Sequence, residues 1–323
     1  MIYMLETMDK KNLQILHQLD LNSRQSNSSI AKKIGLSKDA VSYRIKQLEE
    51  KGFIKGYFSI IDSGRLGYRL HRVFFNLIDM TPTVLNEFID FLKNEKNVFR
   101  ISVMDGQWDF GFVFWAKNNK DFRDFYYKHL CKKFRKYIKN SFISQITLYQ
   151  PWDRSYFTKT KKTISYEIIG TEETAEYDKI DFEILKLISQ NARIPLIEIA
   201  NRLNLDSMTV KYRIKKLEQK EIIQGYKTEF NLALLGIDLY SIKINLSAME
   251  KIQELQKYIL NIPETNSIIE TIGGFDLEFD LEVEDSKRYY QIIDELKSKF
   301  DFIREIIYFR TIYDTKMIYM PQK

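Results

Sequence analysis

The chain has one cysteine, three histidines and five prolines in 323 residues. A single Cys131 excludes an internal disulfide, and His17, His71 and His129 stand at spacings from which no zinc signature can be assembled. Cys131 reads as a small, partly buried apolar residue and not as a catalytic thiol. Apolar stretches such as residues 237–246 are interrupted well short of the ~20 residues a membrane span requires, and the N-terminus lacks a signal-peptide pattern. A cytoplasmic protein with no membrane partner and no cofactor is expected. What is plentiful is apolar content, 44%, which allows two to four domains to bury a core each.

Charge is unevenly shared. Residues 1–165 carry 29 Lys and Arg against 16 Asp and Glu, a balance of +13, whereas residues 166–323 carry 21 against 28, or −7. A basic half of this size suits a polyanion, although a solvated lysine face is the ordinary alternative.

Residues 9–57 align with residues 178–226 without a gap, with 20 identities in 49 positions. An offset of 169 residues is too long for a solenoid unit and marks two copies of a domain pair. In each copy, apolar residues at helical spacing (Leu13, Leu16, Leu19; Phe182, Leu185, Ile188) predict a first helix. A short second helix and a tight turn follow. A third helix is then capped by Ser37 or Asp206, with Val41, Ile45 and Leu48, or Val210, Ile214 and Leu217, as its core stripe. This is the pattern of a helix-turn-helix, residues 1–57 and 178–226. On the third helices, Ser37, Lys38, Ser42, Tyr43 and Lys46, and Ser207, Thr209, Lys211, Tyr212 and Lys215, are placed to meet double-stranded DNA, with Arg44 and Arg213 suited to phosphates. The alternatives are an Arg44 paired with a nearby Glu on the helix surface and tyrosines packed on the first helix. The first block holds 10 basic and 5 acidic residues and the second 9 and 7, so the first is expected to bind DNA more strongly and the two to read different bases.

Beyond Gly56-Tyr57 and Gly225-Tyr226 the period changes to strand, helix, strand, strand, helix, strand, predicting an α+β ferredoxin-like sandwich in residues 58–157 and 227–323. Residues 158–177 read as a linker in which SYEIIG could add an edge strand.

The stretches LSKDAVSYRIKQLEEKGFIKGY and LDSMTVKYRIKKLEQKEIIQGY, each followed by this pattern and a glycine-containing turn, resemble the Lrp/AsnC family of transcriptional regulators over nearly the whole chain, twice. The resemblance implies a DNA-binding regulator and not an enzyme, with sheets that face one another and an amino-acid effector held between them. It places Gly106 and Asp109, and Gly273, Gly274 and Asp276, near that effector. The glycines would expose N–H groups to a carboxylate and the aspartates would accept an ammonium group, although ordinary hairpin turns use the same residues. Usual members carry one copy per chain, so here the two sandwiches either pair within one chain as a pseudo-dimer or pair between chains as a homo-oligomer. The excess of +9 in residues 58–165 against −5 in 227–323 favours sandwiches of opposite copies meeting, within or between chains. Two alternatives share the architecture. One is a siroheme-decarboxylase-like enzyme of haem biosynthesis, whose His-Asn-Tyr stretch and arginine pair are replaced here by DMTPTVL and GYFSIID. The other is a regulator whose second helix-turn-helix no longer contacts DNA.

Overall fold

The computed structural model describes residues 7–163, 165–170 and 173–321. Copy one begins with α1 (Lys10–Leu21), α2 (Asn27–Ile34) and α3 (Lys38–Glu50) and continues through β1 (Ile54–Ile61), β2 (Arg69–Leu77), α4 (Pro82–Asn94), β3 (Val98–Gly106) and β4 (Phe110–Ala116). It ends with α5 (Asn119–Asp124) and β5 (Ile138–Pro151). Copy two repeats the order as α6 (Lys179–Gln190), α7 (Leu196–Leu203), α8 (Ser207–Gln219), β6 (Ile223–Phe230), β7 (Asp238–Leu246), α9 (Ile252–Leu260), β8 (Thr265–Ile272), β9 (Leu277–Val283), α10 (Ser286–Lys299) and β10 (Ile303–Met317). Both copies are thus a winged helix-turn-helix followed by a ferredoxin-like βαββαβ unit.

The helix-turn-helix ends are built as the sequence specifies. The Ser37 hydroxyl accepts the Ala40 N–H at 3.1 Å, and Asp206 accepts those of Met208 and Thr209 at 2.9 and 2.8 Å. Gly35 closes α2 at φ +67°, and Asn204 closes α7 at φ +53°. One expected helix differs in form. Between β4 and β5 the buried Phe122, Tyr126, Leu130 and Phe134 recur every four residues, more widely than the 3.6-residue α period. After α5 the chain therefore winds through a π-helical segment, Phe125–Cys131, which keeps them on the sheet face.

Among the described residues the two ferredoxin-like sheets, β3-β4-β2-β5 and β8-β9-β7-β10, join through β5–β8 and β10–β3 into a closed eight-stranded barrel. Closure removes both open edges. Of the two arrangements the sequence allows, the chain adopts the pseudo-dimer. The hinge strands also pair across copies: β1 lies antiparallel to β6, with Tyr57 opposite Thr228 and Ser59 opposite Tyr226. Around them several contacts are reciprocated. Ser59 donates to the carbonyl of Ile188 at 2.9 Å and Thr228 to that of Leu19 at 3.0 Å. The Ala192 N–H reaches the Tyr57 carbonyl, and the Ser23 N–H reaches that of Tyr226, both at 2.9 Å. Arg24 lies over the Tyr226 ring and Arg193 over the Tyr57 ring. One hydrophobic core runs through both helix-turn-helix units and the near end of the barrel.

The segment between copies is no free tether. Ile168 and Tyr149 exchange backbone hydrogen bonds of 3.0 and 2.9 Å, and Ser165 bridges Trp152, so SYEIIG lies along β5. Residues 164, 171 and 172 of the expected linker lie outside the described residues. Tyr166 is buried, and a Cβ on Gly225 would come within 3 Å of its ring, so that glycine permits the close approach.

Helices cover the outer face of each sheet over apolar cores. The inner faces carry charge, most of the acid coming from β9. Glu278 meets Arg72 at 2.7 Å and Lys243 at 2.6 Å, and Asp280 accepts from Ser241 and Ser267. At one end Arg154 binds Glu282 through two bonds of 2.8 Å and Asp20 of α1 through a third, while Lys227 reaches Asp20 at 3.0 Å. Repeat alignment places Phe58 where copy two has Lys227, Ser189 where copy one has Asp20, and Trp115 where copy two has Glu282. There Phe58 stacks on Tyr319 at 3.7 Å. One end of the pseudo-twofold is an ion-pair cluster and its counterpart is built on an aromatic stack.

Burial alone would raise the Glu278 carboxyl, but Arg72 and Lys243 outweigh burial and hold it below the usual range. Its stabilising contribution is therefore present above the unfolded value of about 4.3 and is lost as pH falls toward the lower folded one. Glu278→Gln leaves two buried cations under-compensated and is expected to cost roughly 3–5 kcal/mol in urea unfolding at neutral pH. It should also flatten the acid limb of the stability curve. Because pairing is within one chain, the thermal midpoint is expected not to change with protein concentration; a rise with concentration in a scanning calorimeter would show pairing between chains.

Candidate nucleic-acid interface

The third helices of the two copies present the same frame with different side chains. On α3, Lys38 and Lys46 are exposed and Tyr43 is 65% exposed; on α8, Lys211 and Lys215 are exposed, with Tyr212 at 68% and Met208 at 70%. The tyrosines are thus not packed on the first helices. Large apolar groups left in water on a basic helix favour a contact surface. Ser42 is half-buried, donating to the Lys38 carbonyl and accepting from Asn27, both at 2.9 Å. Thr209 donates its hydroxyl to Asp206. Ser37 acts as the α3 cap, and Ser207 is the first residue of α8. Ser37 sets the start of α3, Ser42 and Thr209 are engaged within the first turns of their helices, and the tyrosines and lysines supply the outward chemistry.

Arg44 and Arg213 depart from the expected phosphate contact. The Arg44 guanidinium donates to Asp9 at 3.0 Å and Asn12 at 2.8 Å, and that of Arg213 to Asp178 and Asp181, both at 2.8 Å. Asp9 and Asp178 are the N-caps of α1 and α6. Each arginine therefore fastens its recognition helix to the cap of the first helix, and the acid is an aspartate of another helix and not a nearby glutamate. A shallow cleft beside this clamp, lined by Asn12, Tyr43, Gln47 and Lys51, runs along copy one.

The turns expected to hold an effector have structural duties. Asp109 accepts the Leu77 N–H and Asp276 the Leu246 N–H, each at 2.7 Å, which closes the ends of β2 and β7. Gly106, at φ +123°, lies against β10, where a Cβ would meet the Tyr308 carbonyl at 2.9 Å. Gly273 sits at φ +75°. A Cβ on Gly274 would collide with Thr271. In each aspartate one carboxylate oxygen is used in this way, and the glycines serve turn geometry and close strand approach. Trp108 and Phe275 both stack on Phe142, at 5.5 and 5.3 Å, plugging the joint between the sheets.

Residues that sequence reasoning left without a role are Arg24 and Arg193 with Tyr57 and Tyr226. Their signal was present, because all four stand among the positions identical between the copies.

The sequence profile described as winged helix-turn-helix DNA-binding matches residues 8–55 and 177–224. The HTH-type transcriptional regulator LrpA of Pyrococcus horikoshii is 36% identical over 116 residues, covering 36% of this chain and 81% of LrpA. The proline dehydrogenase transcriptional activator of Rhodobacter capsulatus is 27% identical over 121 residues, covering 36% of this chain and 79% of the activator. The crystal structure of the siroheme decarboxylase NirDL superposes with a TM-score of 0.64 over 96% of this chain and 94% of NirDL, at 12% identity, and so shares the fold.

The clamp assignment has a measurable consequence. Arg44→Ala should lower the stability of the chain by up to about 1 kcal/mol, as an exposed ion pair does, and weaken DNA binding less than Lys38→Ala/Lys46→Ala; a larger binding loss from Arg44→Ala would restore it to the phosphate contacts. The matched profiles, the relatives named regulators and the twice-repeated architecture agree: the chain belongs to the Lrp/AsnC family of DNA-binding transcriptional regulators, as a tandem fusion of two copies.

Proposed function

We propose that the chain regulates transcription by reading one asymmetric DNA site with two non-equivalent heads, and that it is not an enzyme. The observation that carries this reading is the contrast on a common frame: Lys38, Asp39, Ser42 and Tyr43 on α3 stand where α8 has Ser207, Met208, Lys211 and Tyr212. A helix entering the major groove offers these positions to base edges, so unlike side chains select unlike bases. The reciprocal hinge pairing holds the heads in a fixed relation, and a fixed pair of unlike readers matches two unlike half-sites. An amino-acid effector held at the sandwich turns would meet Asp109 and Asp276, each of which spends one carboxylate oxygen on the Leu77 or Leu246 N–H.

DNA selected from a random pool by the full chain is expected to contain two different half-sites in one order; a palindromic consensus would sink the asymmetric reading. Lys46→Ala and Lys215→Ala should each lower the slope of log affinity against log salt by about 1. If Lys215→Ala changes nothing, the second helix-turn-helix serves assembly and only α3 reads.

A catalytic reading is favoured by the whole-chain likeness to NirDL, a siroheme decarboxylase. The histidines speak against it. His71 stacks on Phe122 at 4.2 Å, on the helix-covered side of the sheet, where burial and the nearby Arg69 push it down to about 4. His17 faces Asp153 and Thr158 at 3.4 and 2.9 Å. Added siroheme is expected to give neither a Soret shift nor product, and turnover would replace the regulator reading.

A further inference from the structure

The end of copy one farthest from the reading heads carries a charge surplus that copy two lacks. β2 starts at Arg69, beside the core shared with the helix-turn-helix units, and ends at Leu77, ~26 Å away at about 3.3 Å per residue. Just past that end the Ile78 N–H donates to the Tyr137 carbonyl at 2.9 Å. The segment leading to Tyr137 therefore lies at the distal end of the barrel. Within residues 128–139 Lys128, Lys132, Lys133, Arg135, Lys136 and Lys139 are all exposed, and no acidic residue interrupts them. The aligned segment 295–304 of copy two has Lys297, Lys299 and Arg304 against Glu295 and Asp301. Both segments close the same βαββαβ unit, copy one through its π-helical segment and copy two through α10, and copy two does so without the surplus.

Lys128 shares Asp124 with Arg123. Among the described residues, Lys132, Lys133, Lys136 and Lys139 have no carboxylate within ion-pair distance. Lys133 lies over the Phe134 ring at 5.0 Å and Lys136 over Tyr137 at 4.8 Å, which props their charged ends at the surface. Clustered like charges repel one another, and a regular polyanion relieves that repulsion while releasing its own counterions. A lipid surface fits less well. Phe125, Tyr126, Leu130 and Phe134 of this segment are buried against the sheet, and the exposed Tyr127 is a single ring, which makes no broad apolar face to enter a bilayer.

We propose that this distal basic face binds the phosphate backbone of a second DNA segment, so that one chain bridges two stretches of duplex. The inference rests on the reading of the chain as a DNA binder. Contacts of lysine with phosphate carry no base information, so the second segment can have any sequence.

The test is a two-duplex capture. The full chain is bound to a mixed-sequence duplex fixed on beads, and a fluorescent duplex of unrelated sequence is then added. Wild-type protein should retain the fluorescent duplex, and the exposed triple variant K132E/K133E/K136E should retain at least about tenfold less while holding the bead duplex and keeping its thermal midpoint. Doubling the salt should reduce capture by roughly tenfold for four phosphates neutralised. Equal capture by wild type and variant, no capture by wild type that holds the bead duplex, or preference for phosphatidylglycerol vesicles over the duplex each overturns the bridging proposal and leaves the regulator reading intact. Failure to hold the bead duplex at low salt overturns both.

Discussion

The antiparallel pairing of β1 with β6 is the constraint on which the rest depends. Each hinge strand leaves its own helix-turn-helix and lies beside the other, so α6 packs against β1 and α1 against β6. Neither head has a complete core alone: Ile188 and Ala192 lend carbonyl and N–H groups to copy one, and Leu19 and Ser23 do the same for copy two. Each Tyr57 or Tyr226 hydroxyl also donates to the end of its own third helix, at Glu49 or Glu218, at 2.5 Å. The orientation of each reading helix is in this way tied to a strand held by the opposite copy, and head separation becomes a property of the fold.

Onto this near-symmetric frame the barrel imposes a difference. β9 places Glu278, Asp280 and Glu282 on the inner face where β4 places Gly111, Val113 and Trp115. Two second-copy sheets facing each other would bring those carboxylates together, and two first-copy sheets would leave Arg72 without its acid. Opposite-copy pairing alone satisfies both, a form of specificity through unfavourable alternatives. The same charges reach the DNA-binding region on one side: Arg154 joins Asp20 of the first head to Glu282 of the barrel, whereas the counterpart at the second head is the Phe58–Tyr319 stack. A change inside the barrel is therefore felt through ion pairs by one head and through packing by the other.

Much of this was legible in the sequence. The helix stripes, caps and strand order follow from periodicity and from residues such as Ser37 and Gly35, whose roles are local. The charge imbalance between the sandwiches was legible as a sum but not as an address, because nothing local says that Glu278 faces Arg72 206 residues away. Arg44 shows the opposite difficulty. Its place on a basic recognition helix suggests phosphate, while its partner Asp9 lies 35 residues upstream and meets it only once α1 and α3 cross. The effector turns are ambiguous for a similar reason: an exposed Asp beside glycine has one appearance in the sequence whether it waits for a ligand or holds a strand end. The linker's SYEIIG was legible as a candidate edge strand, and Ser165 and Ile168 give it its place along β5.

The barrel seam between β10 and β3 joins Met317 to Arg100, and the hinge pair joins Ile54 to Phe230. During synthesis the first copy therefore leaves the ribosome with its inner sheet face uncovered, Arg72 lacking its acid on β9, and the edges of β5 and β3 open until β8 and β10 arrive. Contacts this distant in sequence close slowly, and domain-by-domain folding from the N-terminus exposes the half-finished surface meanwhile. Joining the partners in one chain makes the second half arrive at every first half, so the search for a partner ends with translation and not with diffusion.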